Sequence, residues 1–124
     1  MHAQADFQTF SDALRSPDQP SIAPERFAAA LHLRQNDLAR LAQVHRTTVS
    51  EAPTNAKLQQ FMRDSLRVLS ASEDVAGDRV RAIYWYRNTP IPEFEHRTAE
   101  YLVSAGKTDA VVQYLLSIQG GSTG

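Results

Sequence analysis

Apolar residues along this chain recur every three or four positions, and nowhere do they alternate with polar ones over the length of a strand. Leu58, Phe61, Met62, Leu66 and Leu69 form one such stripe, on a helix expected over residues 55–70. Prolines and glycines fall between the periodic segments and not inside them. The pattern predicts an all-α fold of mostly short helices. Residues 6–16 form a candidate helix with Phe7, Phe10 and Leu14 on one face, broken by Pro17 and Pro20. The next opens at Pro24, where a missing N–H costs nothing. It carries Phe27, Ala28 and Leu31 and is followed by helices over 35–42 and 46–52, the latter stopped by Pro53. Beyond the Gly77 stop and an Asp78 cap, a helix over 79–87 carries Val80, Ile83 and Tyr84, and 88–92 is a loop. Thr98 caps a helix running through Ala105 to Gly106. The last helix, capped by Thr108 or Asp109, is expected to bury Val111, Val112, Leu115 and Ile118 and to end at Gly120 and Gly121.

Composition bounds the function classes. A chain of 124 residues suits one compact unit or two small ones. With 13 basic and 14 acidic residues the net charge is -1, so this is no general nucleic-acid coat protein, and any DNA contact must rest on local charge placement. There is no cysteine, which excludes disulfides and thiolate metal sites and fits a cytoplasmic protein. No apolar run approaches the roughly 20 residues that span a bilayer. The start, MHAQADFQTF, lacks a basic head and an apolar stretch, so neither a secretion signal nor a membrane partner is expected.

Residues 33–52, LRQNDLARLAQVHRTTVSEA, read as a DNA-binding helix-turn-helix. Ala39 is the small residue needed where two short helices cross, and Leu38, Leu41, Val44 and Val49 pin the second helix to the body. Arg40 joins Arg46, Thr47, Thr48 and Ser50 as candidate contacts to phosphates and base edges. Several features depart from the usual pattern. Gln43 stands where the turn ordinarily holds glycine, Arg34 and His45 replace serine caps, and Pro53 shortens the reading helix. Asp37 and Glu51 dilute the charge of Arg34, Arg40 and Arg46, so one copy would bind weakly and lose its grip with salt. A homodimer spanning two half-sites is required if promoter DNA is the target.

Nothing points to catalysis. His2, His32, His45 and His96 lie in separate segments, and Glu93 and Glu95 bracket Phe94 in a loop with no apolar pocket evident to separate their pKa values. There is no glycine-rich phosphate loop and no serine with an identifiable base. Neither an enzyme nor a cofactor is expected. Tyr84, Trp85, Tyr86, Tyr101 and Tyr114 are candidate interface anchors; of these, Trp85 and Tyr101 read rather as core aromatics, and Tyr114 is the better interface candidate. Arg87 and Arg97 are candidates to pair with carboxylates of a partner protein; the favoured reading has them solvated or paired with Glu93, Glu95 or Glu100.

The ordered pieces of residues 82–121 carry a family resemblance. Ala82–Ile83–Tyr84–Trp85 is an aromatic helix end and Arg87–Asn88–Thr89–Pro90–Ile91 the loop after it. Thr98–Ala99–Glu100–Tyr101–Leu102–Val103 leads to Gly106, and Asp109–Ala110–Val111–Val112 leads through Leu115 to Gly120. This stretch resembles the toxin-binding domain of the Xre/MbcA/ParS antitoxins. Residues 58–77 look like the family's connecting helix, and the helix-turn-helix fits its Xre-like N-terminal module. The resemblance implies an antitoxin partnered with a RES/ParT-type toxin that consumes NAD. It would bind that toxin through its C-terminal domain, obstruct the NAD pocket, and repress its own promoter as a dimer. The organisation that follows is an N-terminal extension at 1–21, helical or mobile, a helix-turn-helix at 22–54, a connecting helix at 55–76 and a toxin-binding domain at 77–124. Gln119, Gly120 and Gly121 begin a slim tail that could enter a nucleotide cleft, with Gln113, Tyr114 and Ser117 beside it as toxin contacts. The alternative is a stand-alone Xre-like transcriptional regulator.

Overall fold

The computed structural model describes residues 3–121, with side chains from 6 to 120. Among them the chain is all-α: eight helices, a 3-10 turn at Pro92–Phe94 and two isolated β-bridges. It divides into two compact units, Met1–Arg63 and Asp64–Gly124.

The first unit opens with α1, Ala3–Ala13, which buries Phe7 and Leu14 and packs the rings of Phe7 and Phe10 5.5 Å apart. A hairpin follows. Ser16 donates to the Ser21 carbonyl at 2.9 Å and Ala23 to the Leu14 carbonyl at 2.8 Å, around Asp18 at a φ of 62°. Helix α2, Pro24–Leu31, starts on its proline and buries Phe27, Ala28 and Leu31. Helices α3, Gln35–Ala42, and α4, Arg46–Glu51, come next.

Both α2 and α3 end on a left-handed residue that is not glycine, His32 at φ 59° and Gln43 at φ 60°. In each case the next backbone N–H returns to the last turn: Leu33 to the Ala28 carbonyl at 2.8 Å, Val44 to the Ala39 carbonyl at 3.0 Å. The recovered hydrogen bonds, with Leu33 buried and Val44 half-buried, offset the cost of a Cβ in that conformation. Helix α5, Ala56–Ala76, closes the unit with Leu58, Phe61 and Met62, and Phe61 meets Phe27 edge-on at 6.3 Å.

The division between the units falls within α5, which runs past Ser70, where the apolar stripe ends, to Ala76, the bound expected of the connecting helix. Ser72 returns its hydroxyl to the Leu69 carbonyl at 3.0 Å, and the buried Glu73 carboxylate takes the Arg79 guanidinium at 3.2 Å, so polar residues continue the inward face. Gly77, at φ 91°, makes the turn, and Asp78 caps α6, Arg79–Asn88, by accepting from the Arg81 N–H at 2.8 Å. Thr98 caps α7, Ala99–Ser104, and α8 spans Thr108–Gly121.

Burial settles which residues of α6 turn inward and corrects the expectations for Tyr101 and Ile118. Val80 and Tyr84 are 80% and 66% exposed, while Ala82 and Tyr86 face the core. The hydroxyl of Tyr86 meets that of Ser65 at 2.6 Å, and this buried pair fixes which side of α6 turns inward. Tyr101 is on the surface, its ring covered by the Arg97 guanidinium at 4.5 Å; Trp85 is half-buried. Ile118 is 40% exposed although Val111 and Leu115, on the same stripe of α8, are buried: cover for that stripe ends one turn before the helix does.

Candidate functional site

In the second unit, polar side chains carry the internal order. Tyr86 is fully buried; desolvation raises its pKa well above the ordinary tyrosine range, the Ser65 hydroxyl works against that, and the Glu100 charge adds to it. Arg87 donates from Nε to Glu100 Oε2 at 2.9 Å and so ties α6 to the first turn of α7. Glu100 is therefore the partner Arg87 takes, and Arg97 lies over Tyr101. The segment between α6 and α7 folds back on itself. Ile91 donates to the Arg97 carbonyl at 2.9 Å, His96 donates to the Ile91 carbonyl at 3.0 Å, and Glu95 and His96 take left-handed backbone conformations. Phe94 then projects onto Tyr114 of α8, ring centroids 5.8 Å apart and edge to face. Loss of hydration against Phe94, with the Glu93 charge adding to it, raises the Tyr114 pKa. Beside this contact lies a groove of about 360 Å³ lined by Glu93, Phe94, Glu95, Arg97, Tyr101 and Lys107 among others.

Helix α8 presents the candidate contacts. Gln113, Ser117 and Gly120 are exposed and, at spacings of three and four, share one outer face. The Ser117 hydroxyl donates to the Tyr114 carbonyl at 2.7 Å, and Tyr114 is half-buried. Gln119 is exposed, Gly121 ends the helix, and the tail at 122–124 lies outside the described residues. Sequence reasoning missed Leu116, which is 48% exposed on the outer face among the polar candidates. Its signal is present: Leu116 is off the 111–115–118 stripe by one position. Val80 and Tyr84, one turn apart on α6, add a second apolar exposure.

The first unit places the other set of candidates. The imidazole Nδ1 of His45 accepts the Thr47 N–H at 3.3 Å and stands 3.0 Å from the Thr47 hydroxyl, so a histidine does the work of the usual capping hydroxyl. Arg34, at the start of α3, makes no side-chain cap. Arg46, Thr47 and Ser50 are exposed and Thr48 is half-buried. Arg46 has no ion-pair partner among the described residues, whereas Arg40 and Arg34 both reach Asp37, at 3.5 and 3.3 Å. Partial desolvation raises the Asp37 pKa, but those two guanidiniums outweigh it and hold the carboxyl below its ordinary value.

Among the described residues no helix is long and apolar enough to cross a membrane, and no three His, Asp or Glu side chains are grouped to hold a metal ion.

Residues 71–121, from the last turns of α5 through α8, match the family described as the antitoxin Xre/MbcA/ParS C-terminal toxin-binding domain. No curated protein and no solved structure matches the chain. An outward-facing apolar set on a domain held together by internal polar pairs suits a surface that docks on another protein. The C-terminal part of this chain is a toxin-binding domain of the Xre/MbcA/ParS antitoxins.

Proposed function

We propose that the chain is the antitoxin of a type II toxin–antitoxin pair and that its partner is a NAD-consuming toxin of the RES/ParT type, whose NAD pocket it obstructs. The family match over residues 71–121 carries this reading. The face of α8 formed by Gln113, Leu116, Ser117 and Gly120 is the docking surface, with Tyr114, Ile118, Gln119 and Gly121 at its edge. Leu116 and Ile118 supply apolar area whose desolvation favours association, and the polar neighbours fix register. In a cell expressing the neighbouring toxin gene, this chain restores growth and co-purifies with the toxin. A purified complex that consumes NAD as fast as the free toxin would rule the blocking mechanism out.

The same protein, acting as a homodimer in the cytoplasm, represses its own promoter through a helix-turn-helix formed by α3 and α4. Arg40, Arg46, Thr47, Thr48 and Ser50 are its DNA contacts. The exposure of Arg46, Thr47 and Ser50 at the start of α4 supports this. Few cations are available per copy, so binding is expected to weaken steeply between low and moderate salt. Arg46→Ala abolishes the promoter gel shift and leaves toxin rescue intact. Loss of both together would mean that the two activities are not separable.

A further inference from the structure

The bridge between Arg15 and Ile22 leaves the Ile22 N–H and carbonyl turned away from the other arm of the hairpin, whose cross-strand bonds are made by Ser16, Ser21, Leu14 and Ala23. The side chain of Gln59, on α5, takes both. Ile22 N donates to Oε1 at 3.0 Å, and Nε2 donates to the Ile22 carbonyl at 2.8 Å. The amide stands where the peptide group of a third strand would stand. Its second N–H goes to the carbonyl of Pro53 at 2.9 Å, two residues beyond the end of α4. Gln59 and Ile22 are 5% and 6% exposed, so these bonds have little competition from water. Arg26 adds a second tie to the hairpin, donating to the carbonyls of Ala13 and Arg15 at 3.1 and 3.0 Å. Helix α4 is six residues long and buries only Val49, so its direction depends on what holds its two ends. His45 holds the first, and Gln59 holds the connection after the last.

We infer that Gln59 is a positioning residue: it locks the N-terminal hairpin and the α4–α5 connection into one body and thereby aims Arg46, Thr47 and Ser50. The inference rests on the DNA-binding reading above. The full-length chain and its Gln59→Met and Gln59→Glu variants are titrated against the operon's own promoter at graded salt, at a temperature where circular dichroism shows all three folded. Methionine removes all three bonds at similar volume; glutamate keeps the acceptor for Ile22 and loses both donated bonds. Both variants are expected to bind at least tenfold more weakly and to show a shallower dependence of log affinity on log salt, by about one, because a misdirected helix loses phosphate contacts. A merely structural role would lower the active fraction and leave that slope alone. Amide exchange at Ile22 and Asn55, the latter donating to the Ala52 carbonyl at 2.9 Å, is expected to accelerate in the same samples while toxin rescue stays unchanged. Wild-type affinity and slope in both variants would overturn the inference, as would unchanged exchange at the two amides. If the unaltered chain does not bind its promoter, the DNA-binding reading fails by itself. The exchange arm then decides the clamp: acceleration confined to Ile22 and Asn55 upholds it, and no change rejects it.

Discussion

The two units place polar and apolar side chains in opposite ways. Among the described residues, the large hydrophobics left exposed, Val75, Val80, Tyr84, Tyr101, Leu116 and Ile118, all lie in the second unit. So do the buried polar residues, Ser65, Ser72, Glu73, Glu100 and Thr108, with Gln59 the one counterpart in the first. The first unit follows the simple rule: apolar stripes in, arginines and hydroxyls out. In the second, Ser65, Glu73 and Glu100 pair inward with Tyr86, Arg79 and Arg87, while the buried Thr108 hydroxyl has no hydrogen-bond partner among the described residues. That difference suits the two partners proposed above. A polyanion is met by cations and hydroxyls, whereas a protein surface is met by apolar anchors that desolvate it.

The largest effect is expected at the polar core of the second unit. Glu100→Ala removes the carboxylate opposite the Arg87 guanidinium, whose side chain is 25% exposed. Breaking a buried pair costs roughly 3–5 kcal/mol, and the access of water to Arg87 brings the expected loss to about 2–3 kcal/mol. Urea unfolding of the full chain measures it, and Glu100→Gln, which keeps an acceptor, should recover part. A loss below about 0.5 kcal/mol would mean that the pair is ornamental and the contrast between the units false.

Next comes Tyr86→Phe, which strands the buried Ser65 hydroxyl and is expected to cost about 1–2 kcal/mol. Adding Ser65→Ala should return most of that, because two apolar groups of the same shape need no partner. A double variant no better than Tyr86→Phe alone would show that the hydroxyl pair does not set the inward face of α6.

These pairs also mark what could be read from the chain. The bounds of α3 coincide with the expected helix over 35–42, and α2 begins at its proline, because local spacing and caps decide them. The face of α6 did not follow, since Val80, Ile83 and Tyr84 satisfy the same helical spacing that Ala82 and Tyr86 do. What separates the alternatives is Ser65, 21 positions away, and no local pattern contains it. The apolar stripe alone ends α5 near Ser70, and its continuation to Ala76 was legible only through the family's connecting helix, because Glu73 reads as a solvent residue until Arg79 is brought to it. Of the candidate site, the exposed polar residues of α8 were legible, but Leu116 was not, because an apolar residue beside a buried stripe is assigned to the core by default.

A smaller effect tests the first unit, where the His45 cap holds the first end of α4 and the buried Gln59 amide the connection after its last. His45→Ala removes the ring nitrogen that accepts from Thr47 and should cost about 1 kcal/mol, the usual price of a lost cap. His45→Asn should restore it and retain promoter binding. Equal stability of the alanine variant would mean that α4 is held wholly from its far end.

The smallest expected change in stability is the most informative about function. Leu116 is 48% exposed on the outer face of α8, so Leu116→Ser takes little buried area with it, and folding should shift by no more than about 0.5 kcal/mol. If that face docks on the toxin, the lost methyl groups are lost from a desolvated contact, worth about 0.8 kcal/mol per buried carbon, and affinity should fall about tenfold or more. Leu115→Ser is the control from the adjacent position: Leu115 is 2% exposed, and its loss should unfold the unit before it reaches the toxin. The two substitutions differ by one position on one helix, so surface and core predict opposite orders. Stability lost at 115 and toxin binding lost at 116 would place the interface on the outer face. Full toxin binding by the Leu116 variant would move the contact to Val80 and Tyr84 of α6.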